Sequence, residues 1–426
     1  ERGWESVTVP GAVAAWAELA RRFGTLPLTA IAEPAIDYAR RGFHVTPKIA
    51  MLWEIAGTLL GKQPGFAEHF LPNGRAPRAG EIFRSEAQAQ TLETIAETGG
   101  EAFYRGAIAS RIAAFAAEGG AALTAEDLAA HKADWVEPIA GSFEGRKFYE
   151  IPPNGQGIAA LMALGMIEAY GHAGSGPDDP EAIHIAIEAM KLALADIFHH
   201  VGDPAAMQTS AQALLDPAYL AERAKLIDRN RAAEPKYGAP KPGGTVYLAA
   251  ADESGRMISY IQSNYLGFGS GVVAPGGISL QNRGAGFLLE PGHVNEVGPR
   301  KRPFHTIIPG FVTEASGKPL MAYGVMGGFV QAQGHVQMAM RILRYGQNPQ
   351  AAADAPRWRV LTGRSVAVEE AIGAATIEAL RERGHDIVVG RPDLDFAFGG
   401  AQIVLKTDGG YIAGSDPRKD GQAVAY

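Results

Sequence analysis

Between Asn230 and Gly244 the chain sets Pro235, Pro240 and Pro242 among Gly238, Gly243 and Gly244, a run in which no regular element can persist. The two sides of this linker differ in kind. Upstream, apolar residues recur at helical spacing: Val13, Trp16, Leu19 and Phe23 share one face after Pro10-Gly11, and the pattern over 28–41 stops at Gly42. Further helices are expected at 87–98, 106–118, 157–170, 181–200 and 217–227, with Thr124 capping a short one ahead of Glu126 and Asp127. Only 145–151 reads as a strand there. Downstream, 246–251 and 256–262 flank the turn Asp252-Glu253-Ser254-Gly255 as a hairpin. Strands are expected at 320–325, 402–406 and 411–414, and helices at 335–345 and 372–383. A helical half and a strand-rich half therefore meet at Thr245.

Several classes of function are disfavoured at once. With 39 Lys and Arg against 46 Asp and Glu, a net charge of −7 argues against nucleic acid or an anionic membrane as partner. The absence of cysteine excludes disulfides, thiolate metal sites and a cysteine nucleophile. The uncharged segments 257–282 and 320–340 are rich in Gly, Ser, Asn and Gln, so neither reads as a membrane span. Glu1-Arg2-Gly3-Trp4 is neither a signal peptide nor a start methionine, so an original N-terminal segment is expected to be missing. The compartment expected is the cytoplasm, or the periplasm if that segment carried a signal. Glycine, 53 of 426 residues, exceeds the roughly 7% of average usage and points to tight turns or close backbone approach.

Four constellations could carry chemistry. His184 and Glu188 share a helix face as a metal pair would, but the rest of a zincin pattern is missing, and a hydrogen-bonded helix surface is the simpler reading. Gly267-Phe268-Gly269-Ser270-Gly271 invites a phosphate loop, yet Val272 to Gly277 cannot start the helix that such a loop needs. Ser270 is not central in a nucleophile elbow. The sharpest is Gly243-Gly244-Thr245 at the head of a strand. A threonine hydroxyl becomes a competent nucleophile when its own α-amine serves as base, which requires cleavage just before it.

Motifs spread over the whole chain then resemble the γ-glutamyltranspeptidase family of N-terminal-nucleophile (Ntn) hydrolases. They include Val7-Thr-Val-Pro-Gly-Ala-Val13, Phe103-Tyr-Arg-Gly106, Pro152-Pro-Asn154, Thr245 to Asp252, Lys301-Arg-Pro303, Met326-Gly-Gly328, Asp354-Ala-Pro-Arg357 and Ser415-Asp-Pro-Arg-Lys-Asp-Gly421. The resemblance implies an α+β fold, a four-layer αββα sandwich, without metal or organic cofactor. It implies a proenzyme cut at Gly244-Thr245 into a large part (1–244) and a small part (245–426). These would form one structural domain and a heterodimer, with a dimer of heterodimers as a further possibility. Thr245 would be the nucleophile, Ser263 a neighbouring hydroxyl, and Gly327 and Gly328 the oxyanion hole.

Departures from the family pattern bear on substrate. Val246, Tyr265 and Gly286 stand where γ-glutamyl enzymes carry a second threonine, an asparagine and an aspartate, and His305 and Thr306 replace two serines. Gln281-Asn282-Arg283 has lost the family's acidic pair and gained a cation, which favours a substrate with a carboxylate and no ammonium. An ion pair of purely structural purpose is the other reading of Arg283. These replacements resemble the oxamate amidohydrolase branch, implying hydrolysis of a small carboxylated amide. The substrate-binding set expected is Tyr265, Gln281, Asn282, Arg283, His305 and Thr306. The family's large-subunit arginine that grips the substrate carboxylate falls upstream of Val7. Two other functions stay open, a γ-glutamyltransferase or glutathione hydrolase, and an uncleaved binding or scaffold protein.

Overall fold

The computed structural model describes residues 1–171, 174–235, 244–390 and 396–426. Gly238, Pro240, Pro242 and Gly243 of the linker lie outside the described residues. The chain divides into two compact units, one of residues 1–135 with 264–285 and the other of 136–263 with 286–426. This division cuts across the large and small parts expected on either side of residue 244.

In the first unit, α1 (Ala12–Phe23), α2 (Leu28–Arg41), α3 (Pro47–Leu60), α4 (Glu86–Glu97) and α5 (Ala107–Glu118) carry most of the structure. Thr46 and Ser85 cap α3 and α4 by accepting from the N–H groups of Ile49 and Gln88. Thr124 and Asp127 form a reciprocal capping box, as their spacing predicts. One apolar core gathers Val13, Ile108, Ile112 and Leu128 with Val272 and Leu280 of the returning segment. Among the features unread in the sequence are α3, the short helices Phe66–Phe70 and Glu101–Arg105, and the short strand pairs Phe43–His44 with Ile82–Phe83 and Val273–Ala274 with Ile278–Ser279. The glycine-rich run 267–271 leads into the latter pair and not into a helix, so its phosphate-loop reading fails.

The second unit is layered. Helix α6 (Gly157–Tyr170) and helix α7 (Pro180–His200) are apolar on nearly every face, and residues 182–197 of α7 are all buried. They pack together, and α6 lies on strand β1 (Ile139–Phe143). That strand edges a six-stranded antiparallel sheet with β2 (Arg146–Glu150), the hairpin strands β3 (Gly244–Ala251) and β4 (Met257–Tyr265) standing apart as a ribbon. The rest of the sheet comprises β5 (Gly310–Thr313), β6 (Pro319–Met326), β10 (Gly400–Thr407) and β11 (Gly410–Ser415), in the order β11-β10-β6-β5-β2-β1. Three shorter strands, β7 (Trp358–Thr362), β8 (Ser365–Glu369) and β9 (Asp386–Gly390), form a separate sheet.

Successive residues of β6 show what lies on each face of the large sheet. A Cβ on Gly324 would meet the Tyr247 ring of β3 at 2.4 Å, whereas the Val325 side chain meets Gly334 of α8 (Val330–Ala339). Because side chains alternate along a strand, the ribbon covers one face and the helices the other. An α-layer, a sheet and a second β-layer are thus stacked inside this unit. Helix α8 begins at Val330, five residues ahead of the sequence expectation. The buried glutamines Gln331, Gln333 and Gln337 conceal its start from an apolar periodicity search, and Gln333 and Gln337 bond backbone groups of β7.

Candidate active site

Thr245 sits on the first turn of chain that leaves the linker, second residue of β3, and only 9% of its surface is exposed. Thr245 and Tyr247 face inward while Val246 and Leu248 face out, the alternation expected of a ribbon with one covered side. The Tyr247 ring fills the space left by Gly324, and its hydroxyl bonds Ser259 Oγ at 2.8 Å. Burial pushes its phenol pKa far up, so it remains neutral.

Two partners hold the Thr245 hydroxyl. It donates to Ser263 Oγ on β4 at 3.1 Å, and it accepts from Gln331 Nε2 at 3.3 Å. Ser263, expected beside the nucleophile, is therefore brought to it. Gln331 is not foreseen, because an isolated glutamine three residues after a glycine pair gives no sequence signal.

Gly327 and Gly328 form the turn between β6 and α8 with φ of 134° and 70°. Only glycine suits that path: a Cβ on Gly327 would lie 2.6 Å from Val330 Cγ1 and 3.0 Å from Gly399 Cα. The turn is tied down from two sides. Gln156 Nε2 donates to the carbonyls of Gly328 (2.8 Å) and Thr306 (2.7 Å). His305 and Thr306 are held in turn by Pro152 to Gln156, through Gln156 N to His305 O and His305 N to Asn154 O, both 2.9 Å. Thr306 is buried at 1% exposure.

Gly399 gets its place from a buried ion network made of two motifs that carried the family resemblance. Arg357 donates to Phe398 O (2.9 Å) and pairs with Asp416, while Asp416 accepts from Ala401 N at 2.8 Å. Arg418 bridges Asp416 and Glu369. Strand register sets Met326 opposite Gly400, so this network braces the end of β10 against the residue just before the glycine turn.

The other expected substrate residues lie in the first unit and form a cluster of their own. Arg283 opens a 3-10 turn over Arg283–Gly286, is 5% exposed, and places its guanidinium 5.0 Å from the centre of the Tyr265 ring. Burial lowers its pKa to about 9, which leaves it cationic at neutral pH. Gln281 donates to Thr8 O and Thr8 Oγ1, at 2.6 and 2.7 Å, and Asn282 binds Glu1 O and Leu266 N. Their amides thus hold the N-terminal segment and the glycine-rich loop in place.

His184 and Glu188 acquire a third metal-capable neighbour in His385, from the far end of the sequence. Their polar atoms nevertheless form a closed chain. His184 Nε2 donates to Asp228 O (2.8 Å), which leaves Nδ1 to accept from His385 Nε2 (2.8 Å). His385 Nδ1 accepts from the Lys191 ammonium, which also donates to Glu188 Oε1 (2.8 Å) and Ala233 O. Lys191 is the cation among these groups, and burial, with Lys191 and His184 adding to it, drives the His385 pKa down to about 2.

The γ-glutamyltranspeptidase family model matches residues 1 to 426. The chain belongs to that family. It is 37% identical over 434 residues to the glutathione hydrolase-like YwrD proenzyme of Bacillus subtilis, covering 99% of this chain and 81% of the relative. It is also 37% identical, with the same coverage, to the oxamate amidohydrolase proenzyme of Klebsiella pneumoniae. Among solved structures, a cephalosporin acylase from Bacillus halodurans superposes with a TM-score of 0.94 at 47% identity, covering 100% of this chain and 79% of that one. The protein is thus a hydrolase of the Ntn type with an α+β fold. Among its described residues no helix is long and apolar enough to cross a membrane.

Proposed function

We propose that this γ-glutamyltranspeptidase family member cleaves itself between Gly244 and Thr245 and then hydrolyses the amide of a small carboxylated, oxamate-like substrate through a Thr245 acyl-enzyme. The observation that carries this reading is the Thr245 hydroxyl buried between Ser263 and Gln331.

In self-cleavage the Thr245 oxygen attacks the Gly244 carbonyl, and the C–N bond breaks as the nitrogen takes up a proton. That bond breakage frees the Thr245 amine, and water then hydrolyses the ester to a Gly244 carboxylate and the restored Thr245 hydroxyl, giving a large and a small subunit that stay folded together. That amine then accepts the hydroxyl proton as the oxygen attacks a substrate amide. The N–H groups of Gly327 and Gly328 stabilise the negative oxygen of the tetrahedral state, and their rigid turn makes that stabilisation pre-formed. The protonated amine returns its proton to the departing nitrogen, and water releases the acid. Arg283, lodged against Tyr265, is the cation for a substrate carboxylate, and Gln281 and Asn282 support the loop that presents it.

The likeness to proteins named as a glutathione hydrolase-like proenzyme and a cephalosporin acylase favours a second reading, an acylase of larger amides. Purified enzyme incubated with oxamate, a γ-glutamyl anilide and a cephalosporin side-chain amide separates the two. Turnover of oxamate, with a KM raised roughly tenfold or more by Arg283→Ala, is expected from loss of one charge-assisted contact. Turnover of either larger amide alone would defeat the small-substrate assignment.

A further inference from the structure

We infer that Gln331 is a further catalytic residue: its amide N–H sets the Thr245 hydroxyl, and its amide oxygen receives the α-amine that cleavage before Thr245 releases. The inference rests on Thr245 being the nucleophile.

Gln331 stands in the first turn of α8, where its own N–H bonds Gly328 O at 3.2 Å, so its backbone is locked to the glycine turn. Its side chain is fully buried. One end of the amide donates to Thr245 Oγ1 at 3.3 Å; the other, Oε1, has no partner among the described residues. A buried carbonyl oxygen left without a donor costs about 1–3 kcal/mol, and native structures retain few of them. The donor it lacks is one that the uncut chain does not supply.

In the intact chain the Thr245 nitrogen is a peptide nitrogen with a single hydrogen, inside β3. Breaking the Gly244–Thr245 C–N bond turns it into an amine with two hydrogens, three once protonated. The two ends of an amide are separated by one bond angle, so Oε1 lies beside the same residue whose hydroxyl Nε2 already holds. An N–H of the new amine donated to Oε1 leaves the nitrogen lone pair directed at the hydroxyl proton. When the hydroxyl proton moves to that lone pair, the carbonyl stabilises the resulting ammonium until it protonates the leaving nitrogen. Gln156 also carries an unpartnered buried Oε1, but its Nε2 binds two backbone carbonyls of the turn and not the nucleophile.

The test compares Gln331→Leu and Gln331→Glu with the wild-type enzyme, with Thr245→Ala as control. The readouts are the time course of self-cleavage on denaturing gels and the pH profile of kcat/KM on an amide that wild type turns over. Thermal melts of each variant establish that it is folded. Gln331→Leu is expected to cleave more slowly and to lose about tenfold in kcat with KM changed less than about twofold. Its acidic limb moves to lower pH, because the charged amine has lost an acceptor; Gln331→Glu, restoring an oxygen with negative charge, moves that limb up. Limbs that stay in place in both variants overturn the inference, whatever happens to the rate. A Thr245→Ala protein that still turns over substrate overturns the nucleophile reading itself, which keeps the two failures distinguishable.

Discussion

The hydroxyl of Thr245 on one strand of the ribbon donates to the hydroxyl of Ser263 on the other at 3.1 Å, while Gln331 donates to the same oxygen from α8. Thr245 is thereby restricted in χ1 before any substrate arrives. Removing the hydroxyl in Thr245→Ala should abolish both self-cleavage and hydrolysis, read as a single band near 44.9 kDa that persists on incubation. Ser263→Ala keeps the Thr245 hydroxyl, the proposed nucleophile, but frees its rotation, and a loss of about tenfold in kcat is expected.

Gly327→Ala asks two things of the turn that it cannot give. A Cβ would collide with Val330 and Gly399, and φ of 134° is strained for any other residue. Turning the peptide away removes an N–H from the proposed oxyanion site, a change expected to cost roughly a hundredfold or more in kcat. Steady-state kinetics should show that loss with KM little altered.

Arg357 is fully buried, and its charge is matched by Asp416. Arg357→Met fills much of the same volume and leaves Asp416 beside Arg418 alone. Loss of about 1.5–3 kcal/mol in urea unfolding is expected from removing one charge-assisted pair from a carboxylate that keeps Arg418. Since Phe398 O also loses its donor, and Asp416, which anchors Ala401 N, loses a partner, kcat should fall along with stability; a variant as stable as wild type would remove this network from the account.

The chain of His184, His385 and Lys191 predicts a pH dependence with a definite sign. Burial lowers the folded-state pKa of both histidines, that of His385 to about 2, below their value in the unfolded chain. Between pH 6.5 and more acidic values the unfolded chain binds protons that the folded one cannot, so stability is lost as pH falls. For His385 the slope approaches about 1.4 kcal/mol per pH unit well below its unfolded pKa, and His184 adds to it in the same direction. Melting temperatures from pH 7.5 down to 5 check this, and His385→Phe should flatten the curve. Adding a chelator at pH 7.5 should leave the melting temperature unchanged, because Lys191 supplies the positive charge; a drop would restore the metal reading of His184 and Glu188.

Periodicity alone located α1, α2, α6 and α7 to within a residue and placed the hairpin of β3 and β4, because each is patterned by its own neighbours in sequence. The break expected at 230–244, and with it the expectation that Thr245 carries chemistry, rests on equally local signals: proline and glycine limit backbone geometry wherever they occur. Gln331 against Thr245, His385 against His184, and Arg357 against Asp416 are 86, 201 and 59 residues apart. No local propensity encodes such pairs. They arise only when strands register and helices dock, because a buried polar group is satisfied by whichever partner the packing delivers to it.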